Sequence, residues 1–292
     1  MEIGLDIGTW NVRTLYQAGK LAQISRIMEQ YHLAFLGMSE IRWNQFGQLS
    51  TSRGHLMLWS GMPNETDPHH RGVGVLVSKE YRKSVMSYKY VSERIMSLRL
   101  RGQPNNLSVV QCYAPTEDAN DDVKQAFYDQ LNNTLAEVPK HDLKPLMGDF
   151  NAIVGSDNED LEHVIGKHGV GVMNNNGELL VELCGLNELR IGGTLFPHKD
   201  THKATWVSPD SRTQNQIDHI CISSKWSQIL CDLRVKRGAD IASDHHLLMG
   251  VVCFRLKHVP NISRLPRVKY RITKLKDPHQ PLPTTCVTDL LM

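Results

Sequence analysis

The sequence lacks several things whose absence narrows its function. Its six cysteines, Cys112, Cys184, Cys221, Cys231, Cys253 and Cys286, include no Cys-x-x-Cys pair, and most lie in apolar runs. That excludes a zinc ribbon or a disulfide scaffold and reads as reduced core thiols of an intracellular protein. There is no His-Glu-x-x-His segment of the zinc protease kind. No apolar stretch is long enough to span a bilayer. Met1-Glu2-Ile3 starts a strand rather than a charged and then apolar leader, so the expectation is a protein that is neither membrane-bound nor secreted. A formal net charge of only +2 removes any global pull toward nucleic acid, leaving local basic patches as the means of such binding. No repeat of 20–50 residues is present, which excludes a solenoid or propeller. What remains is a 292-residue chain, 40% hydrophobic, with enough material for one large α/β core.

The hydrophobic pattern predicts strands at 3–10, 33–38, 55–60, 73–78, 84–90, 94–101 and 107–113, with further strands near 144–149, 188–191, 203–207, 216–223 and 247–255. Helical spacing is expected at 20–30, from Leu21, Ile24, Ile27 and Met28. It recurs at 120–138, where Val123, Phe127, Leu131 and Leu135 form an i, i+4 stripe behind Asp121 and Asp122. A short helix is expected at 177–184, after a polar loop over 155–177. This alternation predicts an α/β four-layer sandwich: two packed mixed β-sheets flanked by helices, in one domain over 1–256. Residues 257–292 carry Lys257, Arg264, Arg267, Lys269, Arg271, Lys274 and Lys276 among several prolines, and read as a basic, poorly ordered linker-like tail.

Polar residues gather where the predicted strands end. Lys144-Pro145-Leu146-Met147-Gly148-Asp149-Phe150-Asn151 is an apolar run that releases an acid and an amide two residues apart. A strand puts residues i and i+2 on one face, so both are expected to point together into the crevice at the carboxyl end of the sheet. A plain strand-to-loop turn is the competing reading. Asn11, Glu40, Asp218 within Gln216-Ile217-Asp218-His219, and Asp244 with His245 sit at other strand ends. Together they supply carboxylates for a hard cation, amides for phosphate oxygens, and a histidine with a carboxylate partner. This inventory suits phosphodiester hydrolysis with Mg²⁺, for which Mn²⁺ would substitute.

Six of these segments stand in a recognisable order: Thr9-Trp10-Asn11, Ser39-Glu40, Tyr113-Ala114-Pro115, Gly148-Asp149-Phe150-Asn151, Gln216-Ile217-Asp218-His219 and Ser243-Asp244-His245. In that order they resemble the endonuclease/exonuclease/phosphatase superfamily, in its abasic-endonuclease-like branch, over roughly residues 3–256. Gly8–Leu15 and the segment from Gly192 to His246 further resemble the endonuclease domain of RTE-type non-LTR (LINE) retrotransposons. The resemblance implies a nuclease that nicks double-stranded DNA, leaves a 3′-hydroxyl, uses no small-molecule cofactor, and acts as a monomer in the nucleus, with the cytoplasm as the other location. A phosphatase of the same fold acting on inositol phosphates or sphingolipids is one alternative. A captured domain that binds DNA or protein without cutting is another.

The resemblance also implies roles. Glu40 would bind the metal with Asn11 beside it, Asp244 would complete the shell, and Asp149, Asn151 and His245 would border it. Asp149 would deprotonate the attacking water, Asn151 would donate to the transition state, His245 would touch a phosphate oxygen, and Asp218 would fix its ring. Tyr113 would aim its hydroxyl at the phosphate or leaving group. Each has a structural alternative: a cap for Asn11, Asp218 and Asp244, a surface acid for Glu40, a half-buried core aromatic for Tyr113. Arg13 stands where abasic endonucleases carry an acid, and is expected to contact phosphate or pair with Glu40. Trp206 and Arg212 belong to an expected hairpin over 204–216 that would lie along a DNA groove, or be an ordinary surface hairpin. Lys199, Lys203, Lys225, Arg234, Lys236 and Arg237 are candidates for phosphate contacts or simply a solvated face.

Overall fold

Two β-sheets meet face to face, and each is covered on its outer side by helix. The computed structural model describes residues 2–255. The expectation of a poorly ordered tail over 257–292 concerns residues outside those described. The strands are β1 (Glu2–Asn11), β2 (Phe35–Ser39), β3 (Phe46–Ser50), β4 (Leu56–Ser60), β5 (Val73–Val77), β6 (Val85–Ser92), β7 (Ile95–Leu100) and β8 (Leu107–Tyr113). They continue as β9 (Pro145–Asp149), β10 (Leu189–Ile191), β11 (Trp206–Val207), β12 (Gln214–Asn215), β13 (Asp218–Ser223), β14 (Leu230–Lys236) and β15 (Leu247–Arg255). The helices are α1 (Lys20–Gln30), α2 (Asp121–Ala136) and α3 (Asn175–Leu186).

The first sheet runs β14-β15-β1-β2-β5-β4-β3 and the second β10-β13-β9-β8-β7-β6. Each is mixed, with one parallel pair at its centre: β1 with β2 in the first, β8 with β9 in the second. A strand facing apolar layers on both sides needs apolar side chains on both, which is why β2 and β9 read as unbroken apolar runs. Three clusters of buried side chains mark three interfaces. Phe35, Val75, Val109, Met147 and Ile220 lie between the sheets. Ile24, Met28, Leu36 and Met38 join α1 to the first sheet. Phe127, Leu131, Leu146 and Leu180 join α2 and α3 to the second. The four layers are those expected of the sequence.

Local rules set the helix limits. Gly19 enters α1 in the left-handed region (φ +83°), where a residue without Cβ is at ease. Asn120 caps α2 by accepting from Asp122 N (2.9 Å), and Asn174 caps α3 by accepting from Gly177 N (2.8 Å). In α2 the expected stripe is shortened at its start: Phe127, Leu131 and Leu135 are buried, while Val123 is left exposed in the first turn. Two strands escaped the pattern. In β3 the side chains alternate between exposed and half-buried, because it is an edge strand. In β14 a register shift between Leu230 and Asp232 breaks the period of two.

One polar contact crosses the apolar middle. Gln111 of β8 donates from Nε2 to Ser39 Oγ (3.1 Å), and Thr9 Oγ1 donates to Gln111 Oε1 (3.4 Å). Gly37 makes room for this, since a Cβ there would overlap the Gln111 carboxamide. The contact lies just beneath the pole of the sandwich where β1, β2 and β9 end.

Candidate active site

The strands that end at this pole finish in the same way. Asn11 Oδ1 accepts from Arg13 N (2.9 Å), and Asp149 Oδ1 accepts from Asn151 N (3.0 Å). In both turns the second residue is left-handed, φ +60° at Arg13 and +49° at Asn151, and Glu40 (+51°) and Arg42 (+59°) follow β2 in the same region. Non-glycine residues pay for this conformation, and the surrounding structure must hold them in it. The turn corrects one expectation. Asp149 closes β9, so Asn151 does not share a strand face with it. Asn151 reaches the same cavity from the loop, with Nδ2 donating to Ala114 O (3.2 Å).

That cavity, about 580 Å³, is bordered by Glu40, Arg42, Tyr113, Asp149, Trp206 and His245 among others. Beneath it, Asn11 Nδ2 donates to Glu40 Oε1 (2.9 Å) and to Asp149 Oδ2 (2.8 Å), joining a carboxylate from each sheet. Its Oδ1 is committed to Arg13 N, so it presents nitrogen rather than oxygen to the acids. Glu40 also accepts from Tyr113 Oη (3.0 Å) and Arg42 Nη2 (2.8 Å). Burial alone would raise its pKa, but these donors outweigh burial and hold it below the usual value. Tyr113 is held as a neutral phenol: burial and then the Glu40 charge push its pKa far up. Arg94 lies over its ring, 5.2 Å from the centroid, and donates to Tyr113 O (3.0 Å).

His245 sits between two buried acids. Its Nδ1 is 2.8 Å from Asp218 Oδ2, and its Nε2 is 3.8 Å from Asp149 Oδ2. Burial works against the imidazolium, yet Asp218 and Asp149 prevail and raise its pKa to about 9. Asp149 is pushed up to about 7 by burial and by the Asp218 charge, against the lowering effect of His245 and the Asn11 donor. The ring is hydrogen-bonded to Asp218 through Nδ1, while Nε2 faces Asp149 at ion-pair distance and keeps its N–H for another acceptor. The ligand atoms of Asp149, Asp218 and His245 are also close enough together to hold a metal ion. Glu40, Asp149 and Asp244 also border this cavity and would add the carboxylate oxygens that a hard cation takes.

Of the two roles expected of Arg13, the pairing with Glu40 falls to Arg42 instead, whereas Arg13 Nη1 lies 3.8 Å from Asp244 Oδ2. Trp206 Nε1 donates to Asp244 as well (3.4 Å). Arg212 is far from this group, in the exposed turn between β11 and β12, near Asp210 (3.9 Å). Among the basic candidates, Arg237 is tied to the same hairpin through Gln214 (3.0 Å), whereas Lys225 follows the opposite end of β13. Sequence reasoning missed Arg42, although it stands two residues after Glu40. Trp10, Thr205 and Ser243 stand in the motifs and the hairpin read from the sequence, but no role was read for them. Trp10 Nε1 donates to His245 O (2.9 Å), and Ser243 Oγ donates to Asn11 O (2.8 Å). Thr205 Oγ1 accepts from the backbone N–H of both Ile217 and Asp218. A motif does not announce contacts of this kind between distant segments.

Residues 8–245 match the family described as Endonuclease/Exonuclease/phosphatase. The chain is 35% identical over 271 residues to craniofacial development protein 2 of Bos taurus, covering 93% of this chain and 44% of that protein. It thus spans less than half the length of that relative. In fold it is similar to the 3′ phosphatase NExo from Neisseria bound to a product DNA hairpin (TM-score 0.62, 19% identity, 84% of this chain and 98% of the other). It is likewise similar to the endonuclease domain of TRAS1, a telomere-specific non-LTR retrotransposon (TM-score 0.59, 15% identity, 86% and 98%).

Proposed function

We propose, from the premise that the chain belongs to the Endonuclease/Exonuclease/phosphatase family, that it is a Mg²⁺-dependent endonuclease that nicks double-stranded DNA and leaves a 3′-hydroxyl. The observation that carries this reading is the Asn11 carboxamide, which holds Glu40 and Asp149 together at the floor of an open cavity beside a charged histidine. Asp149, Asp218 and His245 bring ligand atoms within reach of one ion, and Glu40 and Asp244 border the same cavity with the carboxylate oxygens that a hard cation takes. Glu40, Asp149 and Asp244 would hold the ion, which when bound supplies charge stabilisation for the scissile phosphate and the departing oxygen.

The chain's own groups account for the proton and charge movements. Asp149, held by the Asn11 donor and facing the His245 ring, takes a proton from the attacking water. Water oxygen bonds to phosphorus as the bond from phosphorus to the 3′ oxygen breaks; that oxygen takes a proton from solvent to become the 3′-hydroxyl, and the 5′ phosphate stays on the other fragment. His245, cationic and fixed through Nδ1 by Asp218, donates from Nε2 to a non-bridging oxygen. Asn151 keeps one N–H beyond the one given to Ala114 O, available to the same phosphate. Tyr113, as a neutral donor, and Arg42 keep Glu40 ionised and in place.

The motif order supports an origin in an RTE-type non-LTR element, and a DNA substrate supports action in the nucleus, with a monomer as the default state. Nicking of supercoiled plasmid tests the reading. Conversion to open circles is expected with Mg²⁺ and not with EDTA, lost in both Asp149→Ala and His245→Ala, with nicks that a polymerase extends. Plasmid left closed by the wild type would overturn it. Release of phosphate from an inositol phosphate in that case would favour the phosphatase alternative.

A further inference from the structure

Beside the cavity stands an aromatic pair that the proposed chemistry does not use. Tyr16 leaves 67% of its surface exposed, though its ring centroid lies 4.6 Å from that of His69, the two planes meeting at 55°. Neither residue belongs to a strand or helix, yet both are anchored. Tyr16 N donates to Thr14 Oγ1 (3.0 Å), and Leu15 N donates to Ile41 O (2.9 Å), next to Glu40. The His69 ring donates from Nδ1 to Arg42 O (3.0 Å), and Arg42 N donates to Arg71 O (2.9 Å). The pair is therefore fixed to the residues that follow the Glu40 strand. An exposed aromatic ring held in place binds a planar partner without first losing its own freedom.

The surroundings select the partner. Arg13, Arg42 and Arg71 lie in the same three loops and leave 56%, 38% and 40% of their side chains to solvent. A planar face bordered by arginines suits a nucleobase carried on a phosphate backbone. Bases in an intact duplex already stack on each other, so the ring gains only from one that is unpaired. Resting on the DNA-nicking reading above, we infer that Tyr16, with His69 behind it, is a stacking platform for an unpaired nucleobase next to the scissile phosphate. The enzyme then favours DNA that is distorted or interrupted at the cutting site.

The test compares two 30-base-pair duplexes, one fully paired and one with a single-base bulge, binding to the whole protein in EDTA so that no cutting occurs. Plasmid nicking in Mg²⁺ runs alongside. The wild type is expected to bind the bulged duplex roughly 10-fold more tightly, the scale of one base–aromatic stack. Tyr16→Ala should bring the two affinities together, and Tyr16→Phe should keep the preference. Since Tyr16 contacts no phosphate in this scheme, Tyr16→Ala should leave the salt dependence unchanged. A wild type that nicks plasmid but shows no preference, or a preference that survives Tyr16→Ala, overturns this inference alone. A wild type that neither nicks nor binds DNA overturns it together with the reading beneath it.

Discussion

At the scale of single residues, the site is a balance of charges in which each group sets the state of the next. Asp218 makes no direct approach to Glu40, yet it holds His245 cationic through Nδ1 and raises Asp149 through proximity. Asp218→Asn should therefore lower the His245 pKa from about 9. It should also cut the nicking rate by roughly 10²–10⁴-fold, the range for a displaced acid–base group. Proton-exchange-edited NMR of the imidazole would read the first effect, and single-turnover plasmid kinetics the second. His219 gives a contrasting case. It is fully buried, donates Nε2–H to Ala152 O (2.7 Å), and has its pKa lowered by burial. Between that lowered value and about 6.5, the unfolded chain binds a proton that the folded chain refuses, so stability falls as pH drops below about 6.5 and is level above it. The excess urea midpoint of wild type over His219→Gln should accordingly shrink between pH 7.5 and pH 5.5. An unchanged difference would mean that this ring is protonated in the fold.

At the scale of elements, the sheets are joined through shape as much as through apolar area. Gly37 on β2 lies against Gln111 on β8 across the join, while within the second sheet Gly148 on β9, at φ +151°, lies against the Cys112 backbone of β8. Gly37→Ala should cost about 1–3 kcal/mol from overpacking. Most of that should return in the double variant with Gln111→Ala, a coupling that a double-mutant cycle in urea would measure. Additive costs would show that the clash is relieved elsewhere. The elements also show where sequence suffices. The doubly covered strands β2, β8 and β9 are visible because apolar runs are the only way to fill both faces, and α1 because Ile24, Ile27 and Met28 follow helical spacing. Strand β14 was hidden by its register shift, and β3 by its position at an open edge where no apolar face is required. Asn11, Glu40, Asp149, Asp218 and His245 were legible as strand-end polar groups. Arg42 and the Arg13–Asp244 approach were not, since left-handed turns redirect side chains in ways that a strand's period of two does not describe.

At the scale of the whole molecule, the site belongs to neither sheet. Asn11, Glu40 and His245 come from the first, Tyr113, Asp149 and Asp218 from the second, and the Asn11 carboxamide spans the join. Mild denaturant that loosens the packing between the sheets should abolish nicking before the far-ultraviolet circular dichroism changes. Coincident loss of both signals would mean that the sheets never part independently. The chain order adds a consequence in time. Trp10 reaches His245 across 235 residues and Ser243 reaches Asn11 across 232, and β1 needs β15 as its neighbour. A ribosome making this protein therefore holds a chain without its site until nearly all of the domain has emerged, and a message cut short before β15 yields a product in which the site never assembles.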